Sequence, residues 1–216
     1  MMQIMDNNKA LKFFKEMSLN AKDNPNSVKL AHNTDYTDID ANFILKYSDK
    51  NSKVLDIATG TGLIINKIYD KVCEIECIEP YKEFTKFIVK ADNVKIINQN
   101  IFDYETTNSF DLITLFGFMH YVEEHEAIKV YEKSYSFLNN SGKIIIKNQF
   151  GIKDDVNVSG YSEEQKTDYY AQYRHIDKEI NILKTVGFKN IEKFDIYPPD
   201  ANRWNNTHFY AIVGEK

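Results

Sequence analysis

The sequence predicts an α/β fold, in which a mostly parallel, doubly wound sheet carries helices on both faces and ends in an antiparallel hairpin. The first observation is that short apolar segments alternate with amphipathic ones between residues 53 and 148. The second is a glycine-rich turn after the first apolar segment. The third is that the last two apolar segments have no helical segment between them. Alternation favours parallel strands with right-handed crossovers, whereas consecutive strands favour an antiparallel pair.

The segment before the alternating region mixes polar and apolar residues. Leu11 and Phe14 lie at helical spacing and predict a short helix over residues 7–17. Residues 22–37 are polar and rich in Asn and Asp, which predicts a loop. Either Asp38 or Asp40 is suited to cap a helix that runs to residue 47.

The alternating region contains five apolar segments that we interpret as strands. Gly60 and Gly62 break the first of them, and the segments between the strands carry apolar residues at helical spacing. The predicted strands span residues 53–58, 74–78, 94–99, 110–116 and 143–148, and the predicted helices span residues 63–69, 83–90 and 124–138.

The C-terminal third begins with a polar, tyrosine-rich segment over residues 151–174, whose tyrosines we interpret as one face of a helix. A further helix is predicted over residues 177–186, and Gly187 ends it. Two strands follow, over residues 188–196 and 207–213, and we expect them to pair antiparallel.

Size and composition limit the possible classes of protein. The 216 residues suit a single domain, and 43% hydrophobic residues suffice for a core without disulfides. Cys73 and Cys77 have no nearby His or third Cys, so we expect no metal site. A net charge of -5 without a basic run argues against a nucleic-acid partner. Because no signal peptide or membrane-spanning segment is evident, we expect a cytoplasmic protein, either a monomer or a homodimer.

The strongest local motif is the turn from Asp56 to Gly62 after the first predicted strand. A strand that turns sharply into a helix exposes backbone N–H groups, and glycines allow a ligand to approach them closely. The second predicted strand ends at another acid, Glu79, whose carboxylate can accept both hydroxyl groups of a ribose. The turn alone is a weak signal, but the turn together with Glu79 indicates a nucleoside ligand.

These residues, in this order, resemble the class I S-adenosylmethionine-dependent methyltransferases, which have a Rossmann-like fold. The resemblance covers roughly residues 53–147 and, in outline, the C-terminal hairpin. That family usually has a glycine where this chain has Ala58, a variation that it tolerates. The resemblance implies that the turn lies against the methionine end of S-adenosylmethionine and that Glu79 holds the ribose. It also implies that residues 100–102 flank the adenine and that residues 116–120 lie beneath the methionine portion.

The resemblance therefore implies a methyltransferase with S-adenosylmethionine as cofactor and S-adenosylhomocysteine as product. It also implies a lid over residues 1–37 and an acceptor pocket built by residues 151–176. The residues expected to bind the cofactor are Tyr36, Asp56, Ala58, Thr59, Gly60, Gly62, Glu79, Pro80, Tyr81, Asn100, Ile101, Phe102, Phe116 and Gly117.

Other protein classes fit the sequence less well. A nicotinamide dehydrogenase requires Gly-x-Gly-x-x-Gly, but the position three residues after Gly62 is Ile65. A P-loop is excluded because no Gly-Lys-Ser/Thr occurs. Methyltransferases of DNA amino groups have a Pro-Pro signature after the fourth strand, where this chain has residues 115–118 without proline. A protein that binds S-adenosylmethionine or a nucleoside without catalysis is still possible, because fold alone does not give function.

Candidate catalytic and acceptor-binding residues follow the fourth and fifth predicted strands. An imidazole titrates near neutrality, so either His120 or His175 is a candidate general base. His120 is equally well interpreted as a residue that packs under the cofactor. The candidates for acceptor binding are Tyr173, Arg174, Arg203 and Trp204. An arginine can pair with a carboxylate or phosphate, so we expect a small polar metabolite as acceptor, with a protein or nucleic acid as the alternative.

Overall fold

The computed structural model describes residues 7–21, 23–28, 34–162, 167–202 and 204–216. Its strands are β1 (Lys53–Ile57), β2 (Glu74–Ile78), β3 (Val94–Ile97), β4 (Phe110–Phe116), β5 (Leu138–Gly151), β6 (Val156–Ser162), β7 (Thr167–Tyr173), β8 (Lys189–Asp195) and β9 (Thr207–Glu215). Its α-helices are α1 (Asn7–Asn20), α2 (Thr37–Ile44), α3 (Ile65–Ile68), α4 (Lys82–Thr85), α5 (Glu124–Phe137) and α6 (Ile176–Val186).

The central sheet has the strand order β3-β2-β1-β4-β5-β9-β8. The first five of these strands are parallel to one another, and β9 pairs antiparallel with both β5 and β8. This arrangement confirms the predicted Rossmann-like sheet with its antiparallel C-terminal hairpin. The carboxyl ends of β1, β2, β4 and β5 lie at one edge, where ligands of such sheets bind.

Alternate residues of each strand face opposite layers of helices. Leu55 and Ile57 of β1 belong to a core with α5 and α6, whereas Val54 faces a core that includes Ile44 of α2 and Ile65 of α3. Because both faces of the sheet are covered by apolar side chains, β1, β2 and β4 at its centre are almost entirely buried, whereas β3 at the edge is only partly buried. None of the helices in these described ranges is long and apolar enough to cross a membrane.

The tyrosine-rich segment differs from the prediction, because β6 and β7 form a separate antiparallel hairpin where a helical face was expected. Tyr169, Ala171 and Tyr173 alternate along β7 and pack with Ala10 of α1 and with Tyr121. Their spacing of two residues is that of a strand, whereas a helical face requires a period of 3.6 residues. The cap of α2 also differs, because Asp35 accepts the backbone N–H of Thr37 at 2.9 Å, whereas Asp38 and Asp40 lie in the first helical turn.

Candidate active site

A cavity of about 330 Å³ opens at the carboxyl ends of the parallel strands. One end lies over β1 and β2, where Gly60, Glu79 and Tyr81 line it. The other end lies over β5 and β9, where Lys147 and Phe209 line it. Of the predicted site residues, the cavity is lined by Tyr36, Ala58, Thr59, Gly60, Glu79, Pro80, Tyr81, Asn100, Ile101, Phe116, Gly117, His120 and Tyr173.

The turn after β1 has a backbone that favours glycine. Ala58, Gly60 and Gly62 have φ values of 61°, 59° and 75°. At Ala58 the left-handed conformation is strained for a side-chain-bearing residue, which explains why a glycine is common at this position. Gly62 was expected to contact the cofactor, but it does not line the cavity. A Cβ atom there would lie 2.7 Å from Cγ1 of Ile88, so Gly62 is required for close packing.

Glu79 is held rigidly at the cavity wall, with only 5% of its surface exposed. Its Oε2 atom accepts the backbone N–H of Gly60 at 2.9 Å, and its Oε1 atom accepts that of Tyr81 at 3.1 Å. Burial raises the pKa of Glu79 to about 7, and the charge of Asp56 contributes to the rise, although both backbone hydrogen bonds oppose it. Each carboxylate oxygen keeps a lone pair for a ligand hydroxyl.

Two predicted cofactor-binding side chains do not line the cavity. Asp56 is buried and accepts the hydroxyl of Thr114, and burial raises its pKa to about 6. Asp56 therefore supports the turn from behind. The side chain of Phe102 packs against the core. Its backbone N–H donates to the Oδ1 atom of Asn100 at 3.2 Å. Asp56 and Phe102 therefore each support a neighbouring residue that lines the cavity.

His120 lies in a one-turn 3-10 helix after β4 and lines the cavity. Its Nδ1 atom is 3.2 Å from Oδ1 of Asn148, and its ring stacks on Tyr173 with a centroid distance of 5.2 Å. Because an amide oxygen only accepts hydrogen bonds, this contact requires a proton on Nδ1. In the neutral imidazole the lone pair then resides on Nε2, the atom that can accept a proton.

Arg174 and His175 do not line the cavity, which contradicts their predicted contacts with acceptor. Arg174 is 3% exposed, and its guanidinium donates to Oε2 of Glu179 at 2.6 Å. It also donates to the carbonyl oxygens of Met119 and Val122, each at 2.7 Å. These two residues flank the turn that carries His120, so Arg174 positions that turn. His175 precedes α6, where its Nε2 atom lies 2.8 Å from the carbonyl oxygen of Ile152.

The C-terminal connection contributes differently from the prediction. Trp204 does not line the cavity and is 40% exposed. Its indole N–H donates to the hydroxyl of Tyr173 at 3.1 Å, so it supports a residue that does line the cavity. Arg203, the remaining candidate for acceptor binding, lies outside the described residues.

Sequence reasoning missed the polar residues at the β5 end of the cavity, Asp40, Lys147 and Tyr197. One available signal was Lys147, because a lysine inside a buried parallel strand is unusual unless it has a partner. The other was Asp40, which the sequence placed on a helix that had to face the same sheet. Neither signal identifies Tyr197, which lies in a loop after β8.

The end of the cavity near β1 and β2 fits a nucleoside. Glu79 can accept two hydroxyl groups, whereas the backbone N–H groups of Thr59 and Gly60 already donate to Ile78 and Glu79. Ile101, which is 3% exposed, provides an apolar wall for a flat base. No group of three or more metal-ligating side chains occurs within the described ranges of the chain.

The sequence is similar to those of known methyltransferases. A methyltransferase-domain profile matches residues 54–142, the segment from β1 to the first part of β5. An uncharacterized methyltransferase of Alkaliphilus oremlandii is 29% identical over 161 residues, which are 68% of this chain and 73% of the relative.

Solved structures share the fold at low sequence identity. The 1,6-didemethyltoxoflavin-N1-methyltransferase of Burkholderia thailandensis, with bound 1,6-didemethyltoxoflavin and S-adenosylhomocysteine, superposes with a TM-score of 0.71 at 11% identity. The alignment covers 99% of this chain and 92% of that one. The N-methyltransferase NodS of Bradyrhizobium japonicum, in complex with S-adenosylhomocysteine, gives 0.67 at 12% identity and covers 98% and 99% of the two chains.

Proposed function

We propose that this chain, a class I S-adenosylmethionine-dependent methyltransferase, methylates an oxygen or nitrogen atom of a small polar metabolite. The observation that supports a small acceptor is the shape of the cavity, which continues from the turn after β1 to a second end lined by Lys147 and Tyr197. The Burkholderia thailandensis structure, which has bound 1,6-didemethyltoxoflavin and S-adenosylhomocysteine, also supports it.

The residues of the first end would hold the cofactor. Thr59 and Gly60 of the turn border this end of the cavity, Glu79 offers its carboxylate to the ribose, and Ile101 borders the base. When bound, S-adenosylmethionine supplies an electrophilic methyl group on a sulfonium. The rate then depends on how the chain positions the acceptor and excludes water.

Two segments of the chain are suited to exclude water. Leu11 and Phe14 of α1 line the cavity, as does Tyr36 just before α2. This placement supports a lid formed by residues 1–37, of which residues 1–6, 22 and 29–33 lie outside the described ranges. Tyr173 lines the cavity from the β6–β7 hairpin and supports a role of residues 151–176 in the acceptor pocket.

We further propose that His120 is the general base, accepting the acceptor's proton at Nε2. His120→Ala is expected to lower kcat by roughly 10²-fold or more and to remove the acidic limb of the pH–rate profile. Steady-state kinetics over a pH series would measure this with the acceptor found by the labelling experiment below. A variant that raises KM or weakens S-adenosylhomocysteine binding at unchanged kcat would show that His120 packs under the cofactor instead.

The class of acceptor is tested by transfer of label from methyl-labelled S-adenosylmethionine. The purified protein is incubated separately with a metabolite pool, with RNA and DNA, and with protein. We expect label in the metabolite fraction only. Label confined to a polymer would contradict the proposal, and tight cofactor binding without any transfer would favour a non-catalytic binding protein.

We also propose that the chain acts without a nucleic-acid partner, in line with its net charge of -5. The free thiols of Cys73 and Cys77 support a reducing, cytoplasmic location. We expect either a monomer or a homodimer.

A further inference from the structure

Three side chains from distant parts of the sequence form a closed polar cluster at the β5 end of the cavity. The ammonium group of Lys147 lies 3.1 Å from Oδ2 of Asp40 and donates to the hydroxyl of Tyr197 at 2.9 Å. The Tyr197 hydroxyl in turn donates to the carboxylate of Asp40, with both oxygens at 2.7 Å. Burial and the charge of Asp40 raise the pKa of Tyr197, so the phenol stays protonated and acts as a donor.

Stability alone does not explain this cluster. The side chains of Lys147 and Asp40 are only 12% and 3% exposed, and the desolvation of a buried ion pair offsets much of its attraction. Apolar residues of similar volume would stabilise a fold equally well or better. A lysine and an aspartate are therefore expected at such a site when the charge of one of them serves a ligand.

Lys147 is suited to serve that ligand because of where its charge lies. Among the described residues that line the cavity, it is the sole lysine or arginine. An ammonium has three N–H donors, and the two polar contacts with Asp40 and Tyr197 occupy two of them. Because Lys147 lines the cavity, the third donor can serve a ligand that enters it.

The walls around Lys147 are aromatic. Its ammonium lies 5.3 Å from the ring centroid of Phe116, 4.8 Å from that of Tyr197 and 5.9 Å from that of Phe209. Tyr36 stacks on Tyr197 with a centroid distance of 4.6 Å and an interplanar angle of 28°. Such walls suit a flat ligand, because its ring can pack against the aromatic rings.

We propose that Lys147 binds an ionised oxygen on an sp² carbon of a flat acceptor, such as a phenolate, enolate or carboxylate oxygen. Asp40 and Tyr197 are positioning residues that fix the ammonium. This proposal rests on the proposed function and specifies the chemical class of its acceptor. It also replaces Arg174, which is buried away from the cavity, as the cationic group that recognises the acceptor.

The test uses matched pairs of flat compounds, bound to protein saturated with S-adenosylhomocysteine. The pairs are 4-nitrophenol with 4-nitroanisole, and benzoate with methyl benzoate, and their dissociation constants are measured by calorimetry or ligand-observed NMR. For at least one pair, we expect the acidic member to bind about tenfold or more tightly than its neutral partner. In Lys147→Met this preference should disappear.

Two further variants test whether the loss of preference comes from unfolding or from the removal of any lysine that lies over a ring. Lys147→Met leaves the Asp40 carboxylate buried without its cation, and this variant could therefore unfold. The double variant Lys147→Met/Asp40→Asn removes both charges. It should also lose the preference for the acidic member of the pair. Lys193→Met is the matched control, because the Lys193 ammonium also lies over a ring, that of Tyr210 at 4.7 Å, and does not line the cavity. It should keep the preference for the acidic member.

The outcomes separate the two proposals. If no acidic member binds better than its partner, or if the preference survives in both Lys147 variants, the assignment of Lys147 is wrong. If S-adenosylhomocysteine itself binds the Lys147 variants much more weakly, Lys147 holds the cofactor carboxylate and the assignment is again wrong. If wild-type protein does not bind S-adenosylhomocysteine, the proposed function fails and this proposal fails with it.

Discussion

Arg174→Met is expected to lower the free energy of unfolding by about 3–5 kcal/mol, the cost of breaking a buried ion pair. The substitution leaves the carboxylate of Glu179, which is 0% exposed, with the hydroxyl of Tyr131 as its remaining charge-stabilising partner among those described. It also removes the two guanidinium N–H groups that donate to the carbonyl oxygens of Met119 and Val122. Equilibrium unfolding in urea, followed by circular dichroism, measures the change.

Two comparisons test the reason for this loss. The double variant Arg174→Met/Glu179→Leu removes both charges and should be more stable than Arg174→Met alone. Lys71→Met breaks the exposed pair with Asp70, whose side chain is 60% exposed, and should change stability by less than about 1 kcal/mol. If Arg174→Met were as mild as Lys71→Met, the buried pair would not hold the turn that carries His120.

Glu79→Ala is expected to weaken S-adenosylhomocysteine binding by about 1–3 kcal/mol, or roughly 5- to 150-fold. The reason is the loss of a buried carboxylate that is held by Gly60 and Tyr81 and can accept the ribose hydroxyl groups. Calorimetric titration measures the effect. Glu83→Ala is the matched control, because Glu83 lies exposed in the first turn of α4, and it should leave the affinity unchanged.

The same carboxylate predicts how binding depends on pH. Because burial raises the pKa of Glu79 to about 7, lowering the pH below 7 protonates it in the free protein. Ribose hydroxyl groups donate more strongly to the ionised form, so affinity should fall with decreasing pH, by at most about tenfold per pH unit. Glu79→Gln cannot ionise and should show little of this fall between pH 8 and pH 6. A wild-type affinity that is constant over this range would contradict either the raised pKa or the ribose contact, and the affinity of Glu79→Ala distinguishes the two.

The sequence was sufficient for the sheet and for most of the residues that line the end of the cavity near β1 and β2. Both depend on short-range patterns: alternation of apolar segments, the turn from Asp56 to Gly62, and an acid at the end of β2. In a parallel sheet these local features meet at one edge, because every strand ends there. The sequence did not distinguish side chains that line the cavity from those, such as Asp56 and Gly62, that support the turn.

The β5 end of the cavity depends on long-range contacts that no local pattern records. Asp40 and Tyr197 are 157 residues apart in the chain but share hydrogen bonds in the fold. Arg174 was misassigned because its partner Glu179 lies on the next helix and both side chains are buried. The β6–β7 hairpin was missed because the aromatic residues of β7 obscured its period of two.

A crystal structure with bound S-adenosylhomocysteine would test the proposed binding mode. We expect the ribose hydroxyl groups at the carboxylate of Glu79 and the amino-acid end of the ligand at the turn near Gly60. We also expect the sulfur to face the end of the cavity lined by Lys147. A ligand bound elsewhere, or one whose sulfur points away from Lys147, would show that the proposed binding mode is wrong.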